Sequence, residues 1–101
     1  MIVYISGPMT GIQDYNHPAF NEAEKKLAKC GYTVLNPATL PIGLKDEDYM
    51  PICLSMLDAA DVVALLPGHE TSRGSTIEKL YAELMRKPIV TVEWMVEGEE
   101  E

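Results

Sequence analysis

VVALLPGHETSRGSTIE, Val62 to Glu78, decides the fold. Its opening run, Val62 to Leu66, is continuously apolar and closes on Pro67-Gly68, the pattern of a strand covered on both faces in a parallel sheet. Beyond the turn, Ile77, Leu80, Tyr81, Leu84 and Met85 recur at helical spacing and predict a helix from about Ser75 to Arg86, with that stripe on the core. Within it, Ser75-x-x-Glu78 fits a capping box, in which hydroxyl and carboxylate satisfy orphan N–H groups of the first turn. A carboxylate beyond the carboxyl end of a buried strand is also where an α/β enzyme places a nucleophile. The helix dipole favours its ionised form there. Lying one residue past Ile77, Glu78 is expected at the boundary between core and solvent. The local pattern leaves cap and catalyst both standing.

Working outward, Ile2 to Ile5 is a short β-branched and aromatic run stopped by Ser6-Gly7-Pro8, hence a first strand. A loop follows to Asn16. Pro18 suits the opening turn of a helix, in which Phe20, Ala23, Leu27 and Cys30 share a face and which Gly31 ends. Tyr32 to Leu35 forms a second strand, ended by Asn36-Pro37. Pro41 and Gly43 mark Ala38 to Glu47 as loop. Tyr49, Ile52, Cys53, Met56, Leu57 and Ala60 then trace an amphipathic helix, with Asp48 as N-cap and Pro51 in its first turn. Pro88 precedes a fourth strand, Ile89 to Val92, and the rest is a tail or short helix around Trp94.

Alternating strands and helices imply right-handed crossovers and a parallel sheet covered on both faces. The expected architecture is a flavodoxin- or Rossmann-like three-layer α/β sandwich with four or five strands. Residues 1–96 are expected to form one domain and 97–101 a solvated acidic tail. Three loops meet at the carboxyl edge of the sheet: Ser6 to Asn16, Asn36 to Glu47 and Pro67 to Gly74.

With 101 residues, 47% of them hydrophobic, the chain suffices for a single core. A domain this small rarely encloses a ligand by itself, so a second subunit is expected to help form any site. The net charge of −8, with 16 acids against 8 Lys and Arg, argues against a nucleic-acid polymer as partner, because phosphate binding relies on clustered cations. Cys30 and Cys53 stand outside any metal-ligand spacing, so neither a metal nor a cofactor is expected. The N-terminus has no basic region or long apolar run, which points to a cytoplasmic protein and no membrane contact.

The first loop, Ser6-Gly7-Pro8-Met9-Thr10-Gly11, has glycines that let backbone N–H groups approach an anion, but it is neither a Walker loop nor G-x-G-x-x-G. Ser72, Arg73 and Gly74 precede the helix predicted from Ser75, where Ser72 and Arg73 would either contact a phosphate or hydroxyl or, for the Arg, stay simply solvated. Asp14 and Tyr15 lie in the first loop, where they would either reach a sugar or base or, for Asp14, stabilise the turn. Tyr4, near the end of its strand, is either plain core or a hydroxyl facing a ligand. Asp61 reads as the end of the preceding helix, and His17 and His69 as surface or capping residues.

Taken together, Tyr4-Ile5-Ser6-Gly7-Pro8-Met9, Ala60-Asp61-Val62-Val63 and Ser72-Arg73-Gly74-x-x-x-Glu78 resemble the nucleoside 2-deoxyribosyltransferase superfamily. More narrowly, they are similar to a group of small phage and bacterial proteins of unknown function. The likeness runs from Met1 to about Val92. It implies cleavage of an N-glycosidic bond in a deoxynucleoside or its 5′-monophosphate, with Glu78 attacking the anomeric carbon and Tyr4 beside it. Residues 7–11 would lie under the sugar or its phosphate. It also implies a homo-oligomer, dimer or tetramer, with sites completed by a neighbour. The chain departs from this pattern at two places. Cys53 stands where family enzymes carry an Asp that grips sugar hydroxyls, and its position on the apolar stripe reads as core. Met9-Thr10 stand where the related hydrolases place an Arg. These departures motivate the other expectation, a nucleotide-binding protein without turnover.

Overall fold

Four β-branched-rich segments pair side by side in the computed structural model, which describes residues 1–100. They are β1 (Ile2–Ser6), β2 (Thr33–Leu35), β3 (Val62–Leu65) and β4 (Ile89–Thr91), all parallel, in the order β2-β1-β3-β4. Four helices connect or follow them: α1 (His17–Lys29), α2 (Asp46–Ala59), α3 (Arg73–Leu84) and α4 (Val92–Glu100). This is the expected four-stranded three-layer α/β sandwich, in a flavodoxin-like order.

Strand alternation divides the core in two. Val3, Ile5, Val62 and Ala64 face one side, where Phe20, Ala23 and Leu27 of α1 and Met95 of α4 cover them. Tyr4, Val63 and Leu65 face the other, covered by Cys53 and Leu57 of α2 and Ala82 of α3. Because β1 is central in the sheet and helices cover both faces, its side chains are screened from water on both sides. Val3, Tyr4, Ile5 and Ser6 are all buried. The register Tyr4↔Val63 and Ser6↔Leu65 carries β1 and β3 to the same carboxyl edge.

Several boundaries differ from the sequence reading, each for a local reason. α2 begins at Asp46, three residues early. Lys45 is the N-cap, and the Asp48 carboxylate accepts from its N–H at 3.2 Å, an acid at the third helical position reaching back rather than a cap itself. Asp61 does not cap that helix; its carboxylate accepts from the N–H of Ile2 at 2.7 Å. Tyr49 donates to the carbonyl of Pro41 at 2.5 Å, which holds the connecting loop against α2. After β4 the chain turns directly into α4, whose bounds take in Glu97 to Glu100, where a solvated tail is expected; Glu101 lies outside the described residues. No helix among the described residues is long and apolar enough to cross a membrane.

The largest difference concerns α3. Its inward face is Ser75, Glu78 and Ala82, whereas Ile77, Leu80, Leu84 and Met85 are exposed. The apolar stripe has the expected spacing and the opposite orientation.

Candidate functional site

Side chains two apart on a strand share a face, so Tyr4 and Ser6 both project from β1 toward α3. α3 starts at Arg73, and its N-cap is Ser72, whose Oγ accepts from the N–H of Ser75 at 3.1 Å. The capping-box reading of Ser75-x-x-Glu78 is therefore wrong. With the cap one turn earlier, Ser75 and Glu78 lie inside the helix and face the sheet. Tyr4 donates to Glu78 Oε2 at 2.5 Å and Ser6 to Glu78 Oε1 at 2.6 Å. Ser6 and Ser75 hydroxyls meet at 2.7 Å. Each carboxylate oxygen thus has its own hydroxyl donor.

The group is buried, with Glu78 only 6% exposed and Tyr4, Ser6 and Ser75 at 1%. Burial raises the Glu78 carboxyl above its ordinary range, and the bonds from Ser6 and Tyr4 pull it partly back by favouring the ionised form. Burial is also the main reason that the Tyr4 hydroxyl is held well above its usual value; the Glu78 charge and Cys53 add to it. Cys53 lies in the core beside Tyr4, as its apolar position suggests. Its thiol is pushed up by burial and by the Glu78 charge, against a hydrogen bond with Tyr4 that lowers it.

Around this cluster the loops are fitted closely. A Cβ on Gly7 would stand 2.8 Å from Leu66 Cβ, so the first loop leaves β1 where only glycine passes β3. Pro8 packs against Gly68, a glycine with φ +88°, which joins the first loop to the turn before α3. Asn16 donates to the carbonyl of Pro8 at 2.9 Å and closes the loop on itself. Between them, Asp14, Tyr15 and Asn16 form a left-handed turn of three consecutive non-glycine residues, with φ of 55°, 51° and 60°. Tyr15 is about half exposed in it.

Of the residues singled out in the sequence, Tyr4, Ser6 and Glu78 come into direct contact. Gly7 and Pro8 shape the edge above them. Met9 packs against the cluster on the opposite face of the sheet, and Thr10, Gly11 and Asp14 are exposed. Ser72 and Arg73 line an open depression of about 320 Å³ with Glu70, Thr71, Thr76 and Ile77, and Gly74 lets Met50 approach to 3.7 Å of where a Cβ would be. His69 bridges Lys79, at 2.8 Å, and Glu70, at 3.1 Å. Ser75 was readable only as a cap. Its i−3 spacing from Glu78 was the signal that both share a face. Among the described residues, no three His, Cys, Asp or Glu side chains converge as metal ligands would.

Residues 1–91 match the model of a family described as a domain of unknown function, DUF4406. The chain belongs to that family. A search of curated proteins finds no match. Among solved structures, this DUF4406 chain is similar to a 2-desoxiribosyltransferase from Leishmania mexicana, with a TM-score of 0.71 and 21% identity over 89% of this chain. The likeness covers 62% of that enzyme's chain, so the DUF4406 domain spans less than two thirds of its length. At this identity the two share a fold.

Proposed function

We propose that this protein cleaves the N-glycosidic bond of a deoxynucleoside or deoxynucleoside 5′-monophosphate, with Glu78 as nucleophile. The observation that carries the reading is that the Glu78 carboxylate points into the fold and is held by Tyr4 and Ser6, rather than capping its own helix. It stands over the carboxyl-terminal half of β1, near the edge at which α/β sheets bind ligands. A carboxylate oxygen of Glu78 forms a bond to the anomeric carbon as the carbon–nitrogen bond breaks and its electron pair leaves with the base, which takes a proton from solvent. Water or an incoming base then attacks the same carbon and returns the carboxylate.

Tyr4 and Ser6 orient the two oxygens and stabilise their negative charge before the first step and as the carboxylate is returned in the second. Each oxygen keeps a second lone-pair site beside its hydroxyl donor, and the reading uses one of these for the bond to carbon. The raised carboxyl favours this, because a more basic carboxylate is the better nucleophile once ionised. Arg73, exposed at the start of α3, lines a depression with Ser72 and Thr76, and this reading gives its guanidinium the role of meeting a 5′-phosphate.

Purified protein incubated with a panel of deoxynucleosides and their monophosphates, with and without a second base, tests this by chromatography of free base. Release that disappears in Glu78→Gln, with the fold kept, is expected. No release from any member would refute it.

A second reading, nucleotide binding without turnover, is favoured by Cys53 beside Tyr4, where the family resemblance implies an Asp. It predicts a thermal shift on adding a nucleotide that persists in Glu78→Gln. A panel without any shift would exclude it.

A further inference from the structure

Ser75 has no task in the chemistry above, yet it is as deeply buried as Tyr4 and Ser6. A hydroxyl inside a helix ordinarily turns back to the carbonyl four residues earlier. Ser55 does so in α2, donating to the Pro51 carbonyl at 2.9 Å, and Thr76, next to Ser75 in α3, donates to that of Ser72 at 2.8 Å. Ser75 instead faces the sheet and meets the Ser6 hydroxyl at 2.7 Å.

Counting hydrogens gives that contact a direction. A serine hydroxyl has one hydrogen and two acceptor sites, and an ionised carboxylate only accepts. Ser6 donates its hydrogen to Glu78 Oε1 at 2.6 Å, so the hydrogen between the two serines belongs to Ser75. The result is a relay from Ser75 to Ser6 to Oε1. Each hydroxyl polarises the next, which strengthens the bond to the charge by about 10–30%. Oε2 is held differently, by the phenol of Tyr4 directly. The two oxygens also differ in place. β1 ends at Ser6, which stands about 6.6 Å further along the strand than Tyr4. Oε1 is therefore the oxygen on the side of the carboxyl edge, and Oε2 the one toward the middle of the sheet.

We propose that Ser75 is a positioning residue, which acts through Ser6 to hold the edge-facing oxygen of Glu78 and to stabilise its charge. Its value to catalysis rests on the glycosidic reading, whereas its effect on the carboxylate does not. Two other titratable groups share this space, Tyr4 from β1 and Cys53 from α2, and the substitutions below leave both in place.

Carbon NMR of the labelled Glu78 carboxyl, titrated in the full chain, tests the relay. Burial raises this carboxyl, and the Ser6 bond is the larger of the two that pull it back, so weakening that bond moves the titration up. Ser75→Ala, which suits a helix interior, should raise the midpoint by roughly 0.1–0.7 pH units, the share of a charge-assisted bond that the relay supplies. In a Ser6→Ala background the same substitution should move it no further, because the path to Oε1 is already cut. Ser55→Ala, which removes a hydroxyl bonded within its own helix, should leave the midpoint where it is. A midpoint unmoved by Ser75→Ala, or moved equally with and without Ser6, would overturn the proposal whatever the activity. If the protein releases base, the acid limb of its rate profile should shift upward by the same amount in Ser75→Ala. An acid limb that stays while the carboxyl's midpoint moves counts against Glu78 as nucleophile and leaves the relay standing.

Discussion

Replacing Glu78 by Gln should stabilise the protein at neutral pH while removing its candidate nucleophile. The carboxylate is 6% exposed, and of the four lone-pair sites on its oxygens, Tyr4 and Ser6 occupy two. Hydrogen bonds to a charged group contribute about 1.5–3 kcal/mol each, and desolvating the charge costs several kcal/mol. The raised carboxyl shows which side wins: burial outweighs the two bonds, and ionised Glu78 opposes folding. A group with a raised folded value binds its proton more tightly when folded. Its cost is therefore absent below the ordinary glutamate range, near about 4.3, grows as pH climbs toward the folded value, and is complete above it. Gln keeps the shape without the charge. Its amide can donate to Ser6, whose own hydrogen then turns to Ser75 across the 2.7 Å contact. The expected gain is on the order of 1 kcal/mol, or about 4–8 °C in melting temperature for a domain of this size. Denaturant titrations of both proteins between acidic and neutral pH measure it. A Gln variant less stable than the parent at neutral pH, or a gain that grows on acidification, would refute the electrostatic account.

Gly7→Ala should destabilise by about 1–3 kcal/mol, since its Cβ would stand 2.8 Å from Leu66 Cβ, an atom fixed to the backbone of a buried residue; chemical denaturation reads this directly. Lys87→Met should cost about 1–2 kcal/mol by the same assay. Lys87 Nζ donates to the carbonyls of Asp58 and Ala60, at 2.8 and 2.6 Å, where the end of α2 leaves acceptors unpaired. Tyr4→Phe removes a donor to the ionised carboxylate, so the Glu78 carboxyl should titrate at still higher pH than in the parent, followed by carbon NMR of a labelled side chain. A titration that moves down would show that Tyr4 does not hold the charged form.

The order of strands and helices was legible because periodicity and turn residues are local. Val62 to Leu66 and Ile2 to Ile5 could be little else than buried parallel strands. Which way a helix faces is not local. Ile77, Leu80 and Leu84 share a face by spacing alone, but only the packing of α3 on β1 shows that Ser75 and Glu78 occupy the side toward the sheet. The cap was ambiguous for a related reason: Ser72 and Ser75 are three apart, and either can open a helix. Choosing Ser72 moves Glu78 from the first turn's rim into the interior. Tyr4 and Ser6 were separate candidates in the sequence, and parallel register is what sets both against one carboxylate.

The left-handed turn at Asp14, Tyr15 and Asn16 invites a test in mirror-image chemistry. A D-amino acid prefers the backbone angles that these L-residues hold against their inclination. Chemical synthesis of the 101-residue chain with D-tyrosine at position 15 would relax the backbone while retaining a phenol ring on the first loop, redirected by its inverted stereocentre. Comparison with Tyr15→Gly, which relaxes the same turn and removes the ring, would separate what the loop owes to its handedness from what it owes to its aromatic side chain.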